Sequence, residues 1–349
     1  MIPIMGPLID HQEIDRVMDC LNTGWISSQG KYIVSFEKAF AEFCRTRYGI
    51  ATSNGTTALH LSLVTLGIGP GDEVIVPALS FVATANVVVH AGANPIFADI
   101  SEETWTLDPK QVESRITGRT KAVIPVHLYG HPADMTPLLE LAQRNHFWVV
   151  EDAAEAHGAE YKGKKVGGLG HLGCFSFYGN KIISTGEGGM IVTNDPDWAD
   201  RARILRDHGM SKDRKYWHPL VGFNYRLTNV QAAIGLGQMT KLEVILEKKR
   251  QIARYYHEKF ERMAGVVQPP EASWAKNVFW LYSILLQPEV DKNRDDLIHF
   301  LARAGVESRP LFYPIPTMPP YLGTDSFPVA ERISARGISL PSGAGLTWG

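Results

Sequence analysis

Between residues 47 and 195 the sequence alternates two kinds of segment, and this alternation constrains the fold more than any other feature. Short runs rich in β-branched and aromatic residues have the length and composition of strands: "YGIAT", "EVIVPA", "NPIFADI", "KAVIPVHLY", "FWVVED", "CFSFY" and "MIVTN". Helical patterns lie between them, starting near Thr56, Val82, Pro109 and Met135. Strands that alternate with helices imply β-α-β units and a mostly parallel sheet, so the expected fold class is α/β. Sheets of this kind take ligands at the carboxyl ends of their strands. The residues just after each strand are therefore the first place to look for chemistry.

After Asn224 the pattern changes. "TNVQAAIGLGQMTKLEVILEKKRQIARYYHEKFERM" contains no proline and reads as one long helix, with Gly235 and Gly237 as weak points near its start. "QPPEASW" then breaks the chain. A smaller α/β part follows, with a strand "FWLYSILL", a helix "NRDDLIHFLARAG" and the segment "VESRPLFYPIPTMPPY". The expected division is a large part over 1–240, with N-terminal helices around 10–21 and 32–46, and a small part over 241–349. A chain of 349 residues is long enough for both.

The net charge of -2 offers no basic field for nucleic acid or an anionic membrane. No apolar run approaches the ~20 residues that span a bilayer. "MIPIMGPLIDHQEID" lacks the basic and apolar regions of a signal peptide. Cys20, Cys44 and Cys174 lie far apart with no C-x-x-C, which suits a reducing cytoplasm.

Two phosphate-loop lookalikes fail on context. "GLGHLG" (Gly168 to Gly173) matches G-x-G-x-x-G but lacks the strand before it and the helix after it. "GAEYKGKK" approaches the P-loop, but Lys165 stands where Ser or Thr must hold magnesium. "SNGTTALHLSLVTLG" is better placed. It follows the strand "YGIAT" and opens a helix with Gly55, Thr56 and Thr57. Free amides, the positive dipole end and hydroxyls make such a terminus an anion site, although plain capping by Asn54 or Thr56 explains the residues equally well.

"FWVVEDAAEAHGA" puts Glu151 and Asp152 at the end of an apolar strand. Asp152, partly desolvated there, needs a cationic or donor partner, unless it only caps the next segment. His157 has no companion at metal-ligand spacing and reads as an ordinary polar contact. In "FSFYGNKIISTGEGGMIVTND", Lys181 sits between Phe175, Phe177 and Tyr178 and the glycines 186, 188 and 189. A lysine that attacks a carbonyl must be neutral, and lowering its pKa by about three units involves ~4 kcal/mol. The aromatic side supplies burial, and the glycines are expected to leave room for a flat cofactor. Asp152 then matches the protonated ring nitrogen of pyridoxal phosphate, and Ser176 a phosphate hydroxyl. One cofactor accounts for the anion site, the carboxylate, the lysine and the glycines together.

With these residues in place, the chain resembles the DegT/DnrJ/EryC1/StrS family of nucleotide-sugar aminotransferases over nearly its whole length. The blocks that carry the resemblance are "NGTTALHLSL", "DEVIVPALSFVATANVV", "VHLYGH", "EDAAEAHGA", "FSFYGNKIISTGEGG" and "GFNYRLTNVQAAIGL". "TGWISSQGKYIVSFEKAFAEFC" and "SRPLFYPIPTMPPY" look closest to the members that aminate C4 of GDP-4-keto-6-deoxymannose. The alternative is a UDP- or dTDP-linked keto sugar, aminated at C4 or C3. The family's 3-dehydratase branch has histidine in place of the lysine, and a non-enzymatic scaffold has no need of Lys181 and Asp152 together.

The resemblance implies a fold type I transferase with a seven-stranded mixed, mostly parallel sheet and a small C-terminal α/β domain. It implies that Lys181 binds the cofactor aldehyde, that Asp152 pairs with the ring nitrogen and that Glu155 lies near the ring hydroxyl, where many members carry Gln. Phe81 would stack on the ring, and Gly55, Thr56 and Ser176 would hold the phosphate. Asn224 would reach the phosphate of a neighbouring subunit, which implies a homodimer with shared sites. L-Glutamate is the implied amino donor. Trp25, Ser28, Glu187, Arg309 and Tyr313 are candidate contacts for the nucleotide sugar. Members continue past "LPSGAGLT" with a final helix, and this sequence ends at Gly349.

Overall fold

The computed structural model describes residues 1–290 and 293–347. Seven strands form the main sheet, in the spatial order Tyr48–Thr52, Gly189–Thr193, Leu172–Ser176, Trp148–Asp152, Thr120–Val123, Glu73–Pro77, Asn94–Ala98. Gly189–Thr193 runs antiparallel to both neighbours, and every other pairing in the sheet is parallel. The α/β class expected from the alternation of segments is what forms. Helices Gly55–Thr65, Ala83–His90, Pro109–Arg115 and Met135–Asn145 start within one residue of the expected positions. Their apolar faces and those of the strands interleave, as with Leu59, Leu61 and Leu63 against Val74, Val76 and Val150.

Parallel strands bring their carboxyl ends to one edge. Asn54, Ser80, Phe81, Asp152 and Ser176 all stand at or just after such ends, so the topology alone gathers them. A four-stranded antiparallel sheet, Val266–Val267, Tyr282–Leu286, Gly337–Leu340 and Arg309–Pro310, is built from the last third of the chain. A third sheet pairs Ala275–Lys276 with the hairpin Glu160–Tyr161 and Lys164–Lys165. That hairpin is the P-loop lookalike. Lys162 and Gly163 take φ of 49° and 75° and close it as a two-residue turn.

Three expectations shift. The long helix is two, Asn229–Met239 and Leu242–Phe260. Lys241 leaves helical geometry at φ -122° and ψ 8°, and its Nζ bonds Glu13 at 2.8 Å and Asp10 at 3.0 Å. The strand expected from Phe279 starts only at Tyr282, because Phe279 sits at φ 47°. The strand expected over "KAVIPVHLY" ends at Val123, just before the proline at 125. Among the described residues no helix is long and apolar enough to cross a membrane.

Candidate active site

The edge where the strands end borders a cavity of about 780 Å³. Gly55, Thr56, Phe81, Asp152, Glu155, Ser176, Lys181, Glu187 and Arg309 all line it. Asn54 caps the helix Gly55–Thr65 with a reciprocal pair: its Oδ1 accepts from Thr57 N at 2.8 Å, and Thr57 Oγ1 accepts from Asn54 N at 3.1 Å. Capping therefore leaves room for an anion at the same terminus. The cap uses the amide of Thr57, and those of Gly55 and Thr56 stay open toward the cavity. Gly55 is required by close approach, since a Cβ there would lie 2.7 Å from Ser176 Cβ.

Asp152 is buried at the mouth of its strand. Thr84 Oγ1 donates to its Oδ2 at 2.8 Å, and Ala154 N to its Oδ1 at 3.2 Å. Burial nevertheless pushes its pKa up. Glu155, also buried, accepts from Tyr129 N at 2.9 Å, and burial raises its pKa to about 7. Lys181 Nζ lies 3.6 Å from Glu155 Oε1 and 3.9 Å from the centre of the Trp280 ring. Burial pushes the Lys181 pKa down, against the pull of Glu155 and Asp152. A buried lysine biased toward its neutral form, an acid at a strand end and an open helix terminus thus share one cavity.

The sequence profile of the DegT/DnrJ/EryC1/StrS aminotransferase family matches residues 7–348. The chain belongs to this family. It is 50% identical to GDP-perosamine synthase of Caulobacter vibrioides over 99% of this chain and 94% of that protein. It is 45% identical to GDP-perosamine synthase of Escherichia coli O157:H7, over 98% and 93%. The solved structure of Streptococcus pneumoniae Spr1654 in its PMP form superposes with a TM-score of 0.94 at 29% identity, covering 99% of this chain and 93% of that one.

As in other DegT/DnrJ/EryC1/StrS aminotransferases, the cofactor is pyridoxal phosphate. The residues present fit it. The open amides of Gly55 and Thr56 beside Ser176 suit a phosphate, buried Asp152 suits a ring nitrogen, and Lys181 faces the same space.

Four of the expected contacts do not line this cavity. Trp25 and Tyr313 are exposed, Ser28 is half-buried, and Asn224 is exposed with its Oδ1 accepting from Arg226 Nε at 3.0 Å. Of the glycines after Lys181, Gly186 has open space around it, and the other two do not. A Cβ on Gly189 would strike the carbonyl of Asn54, and one on Gly188 the hydroxyl of Thr185, so both serve the chain's own packing. His157 is not a polar contact. It packs among Phe40, Phe175 and Phe177 at 5.3–6.1 Å, both ring nitrogens lack a partner, and burial drives its pKa down to about 3.

Glu151 turns away from the cavity. Its carboxylate accepts from the amides of Gly167, Leu169 and Gly170 at 2.6–2.7 Å and meets His127 Nε2 at 3.0 Å. The glycine-rich loop that mimicked a dinucleotide site thus spends its amides on an internal anion. Sequence reasoning missed Trp280, Tyr129 and Phe312, which form an aromatic wall of the cavity. Tyr129 holds φ 53°, a strained value for a non-glycine residue, and so aims its amide at Glu155.

Proposed function

We propose that the protein transfers the amino group of L-glutamate to C4 of GDP-4-keto-6-deoxymannose, forming GDP-perosamine for surface polysaccharide such as O-antigen. The observation that carries the reaction is Lys181 sharing one cavity with Asp152, Glu155 and the open helix terminus at Gly55. The relatives named GDP-perosamine synthase support the sugar. Pyridoxal phosphate bound there supplies an aldehyde for amine exchange and a ring that takes up electrons from the reacting carbon. Lys181 would hold the cofactor, give way to the incoming amine, and then carry the proton at the reacting carbon. Asp152 would keep a proton on the ring nitrogen, and its bonds from Thr84 and Ala154 fix its direction. Glu155 would face the ring hydroxyl, Phe81 would cover the ring, and Gly55, Thr56 and Ser176 would bind the phosphate.

Glu187 and Arg309 line the remainder of the cavity and are assigned to the nucleotide sugar. The acceptor enters after the first product leaves. Trp25, Ser28, Asn224 and Tyr313 complete the site in our reading through a homodimer in which each subunit serves its neighbour. Cys20, Cys44 and Cys174 are free and buried, which suits the cytoplasm, where we place the reaction.

The test is a panel of GDP-, UDP- and dTDP-linked 4-keto and 3-keto sugars, each with L-glutamate. GDP-4-keto-6-deoxymannose is expected to give the highest kcat/KM, with parallel double-reciprocal lines and a 4-amino product by NMR. A higher kcat/KM on a UDP- or dTDP-linked sugar would replace this substrate by that one.

A further inference from the structure

Trp280 meets Lys181 in two ways, and the transfer chemistry above gives it no task. Its ring face lies 3.9 Å from Lys181 Nζ. Its indole N–H donates to the carbonyl of Asn180, the residue before Lys181, at 2.7 Å. The tryptophan is itself fixed. Its carbonyl accepts from Lys249 Nζ at 3.1 Å, and buried Lys249 also donates to Ser342 O at 2.7 Å. Its ring lies within 9° of parallel to that of Tyr129, with centroids 6.1 Å apart. Contacts from residues 129, 180 and 249 therefore hold one aromatic plane against the lysine.

We propose that Trp280 is a positioning residue for Lys181: its ring face holds the side chain in the cavity and stabilises the ammonium form. This rests on Lys181 as the reactive lysine. Such a lysine must be accessible both as a free amine and as a proton carrier. Burial favours only the free amine. The titratable groups around Lys181 are Glu155, Asp152, His157 and, behind Glu155, the phenol of Tyr129. Burial holds His157 and Tyr129 neutral. It also raises Glu155 to about 7, so near neutral pH Glu155 is only partly a counter-charge. The indole face has no proton to gain or lose, and it attracts the ammonium at every pH.

The test measures the amine itself. Full-length protein freed of cofactor is trace-acetylated with labelled acetic anhydride between pH 6 and 10, and the label on the Lys181 peptide is quantified. Exposed Lys164 on the 160–165 hairpin is the internal standard. Trp280→Leu keeps an apolar wall and removes the ring face, so more Lys181 is free amine. Its acetylation at pH 7 is expected to rise about three- to thirtyfold, the range that losing a cation–π contact brings. Trp280→Phe keeps a ring face without the N–H, and its rate is expected to stay within twofold of the native value. A rise below threefold in Trp280→Leu, or above twofold in Trp280→Phe, overturns the proposal. No sugar enters this measurement, so its failure is separate from a failure of the substrate assignment.

Discussion

Lys181, Asp152 and Glu155 share one cavity, and burial acts on all three toward the neutral form. The site is thus poised for a ligand that brings its own charges. Glu155 shows this most directly. Its folded pKa of about 7 lies above the ordinary 4.5. The stability linked to its proton is complete below the unfolded value and is lost as pH rises through 7. Glu155→Gln still accepts from Tyr129 N and cannot ionise. Without cofactor, urea unfolding is expected to find the two proteins closest near pH 5, and the variant ahead at pH 8 by about 1–3 kcal/mol. Superimposed stabilities from pH 5 to 8 would count against a buried, titrating carboxyl. At this scale Lys181 and Asp152 were legible, since residue type and position after a strand fix their chemistry. Trp280 was not, because a hundred residues separate it from the lysine it touches. His157 was not either, because its aromatic surroundings come from two distant segments.

Among elements, the helix Gly55–Thr65 and the strand Leu172–Ser176 meet at the terminus we propose for the cofactor's phosphate, and the contact has no spare space. Alanine is the better helix former by about 1 kcal/mol, so helix propensity alone would make Gly55→Ala stabilising. The Cβ against Ser176 opposes this and spreads the phosphate-binding groups. Absorbance titration with pyridoxal phosphate is expected to show at least about tenfold weaker binding, a loss near 1.4 kcal/mol; unchanged binding would remove Gly55 from the phosphate site. The strands and the first helices were readable from periodicity because each is specified locally. The break at Thr240–Lys241 was not, since the partners that hold Lys241 there, Asp10 and Glu13, are remote in the chain. The same holds for Gly188 and Gly189, where a local pattern suggested a ligand and the neighbours are the hydroxyl of Thr185 and the carbonyl of Asn54.

For the whole molecule, the seven strands of the main sheet lie within residues 48–193, and the four-stranded sheet within 266–340. We keep 1–240 and 241–349 as proposed domains. Asn224 lies outside its own chain's cavity, and we propose that it serves a second copy. Lys181→Ala and Asn224→Asp are each expected to be inactive alone. Mixed by co-refolding at equal amounts, they are expected to recover about a quarter of native activity, because half the pairs are hybrids with one intact site of two. No recovery in verified hybrids would mean that each subunit completes its own site.

Glu151 and Asp152 point to opposite sides of one strand, the first into the loop 167–170 and the second into the cavity. Their neighbouring positions therefore encode a phase. Inserting or deleting one residue within Trp148–Asp152 would send the loop's anchor into the cofactor pocket and the pocket's acid into the loop. A change of length is therefore better absorbed in the turns around that strand than within it, where the two carboxylates must keep their opposite faces.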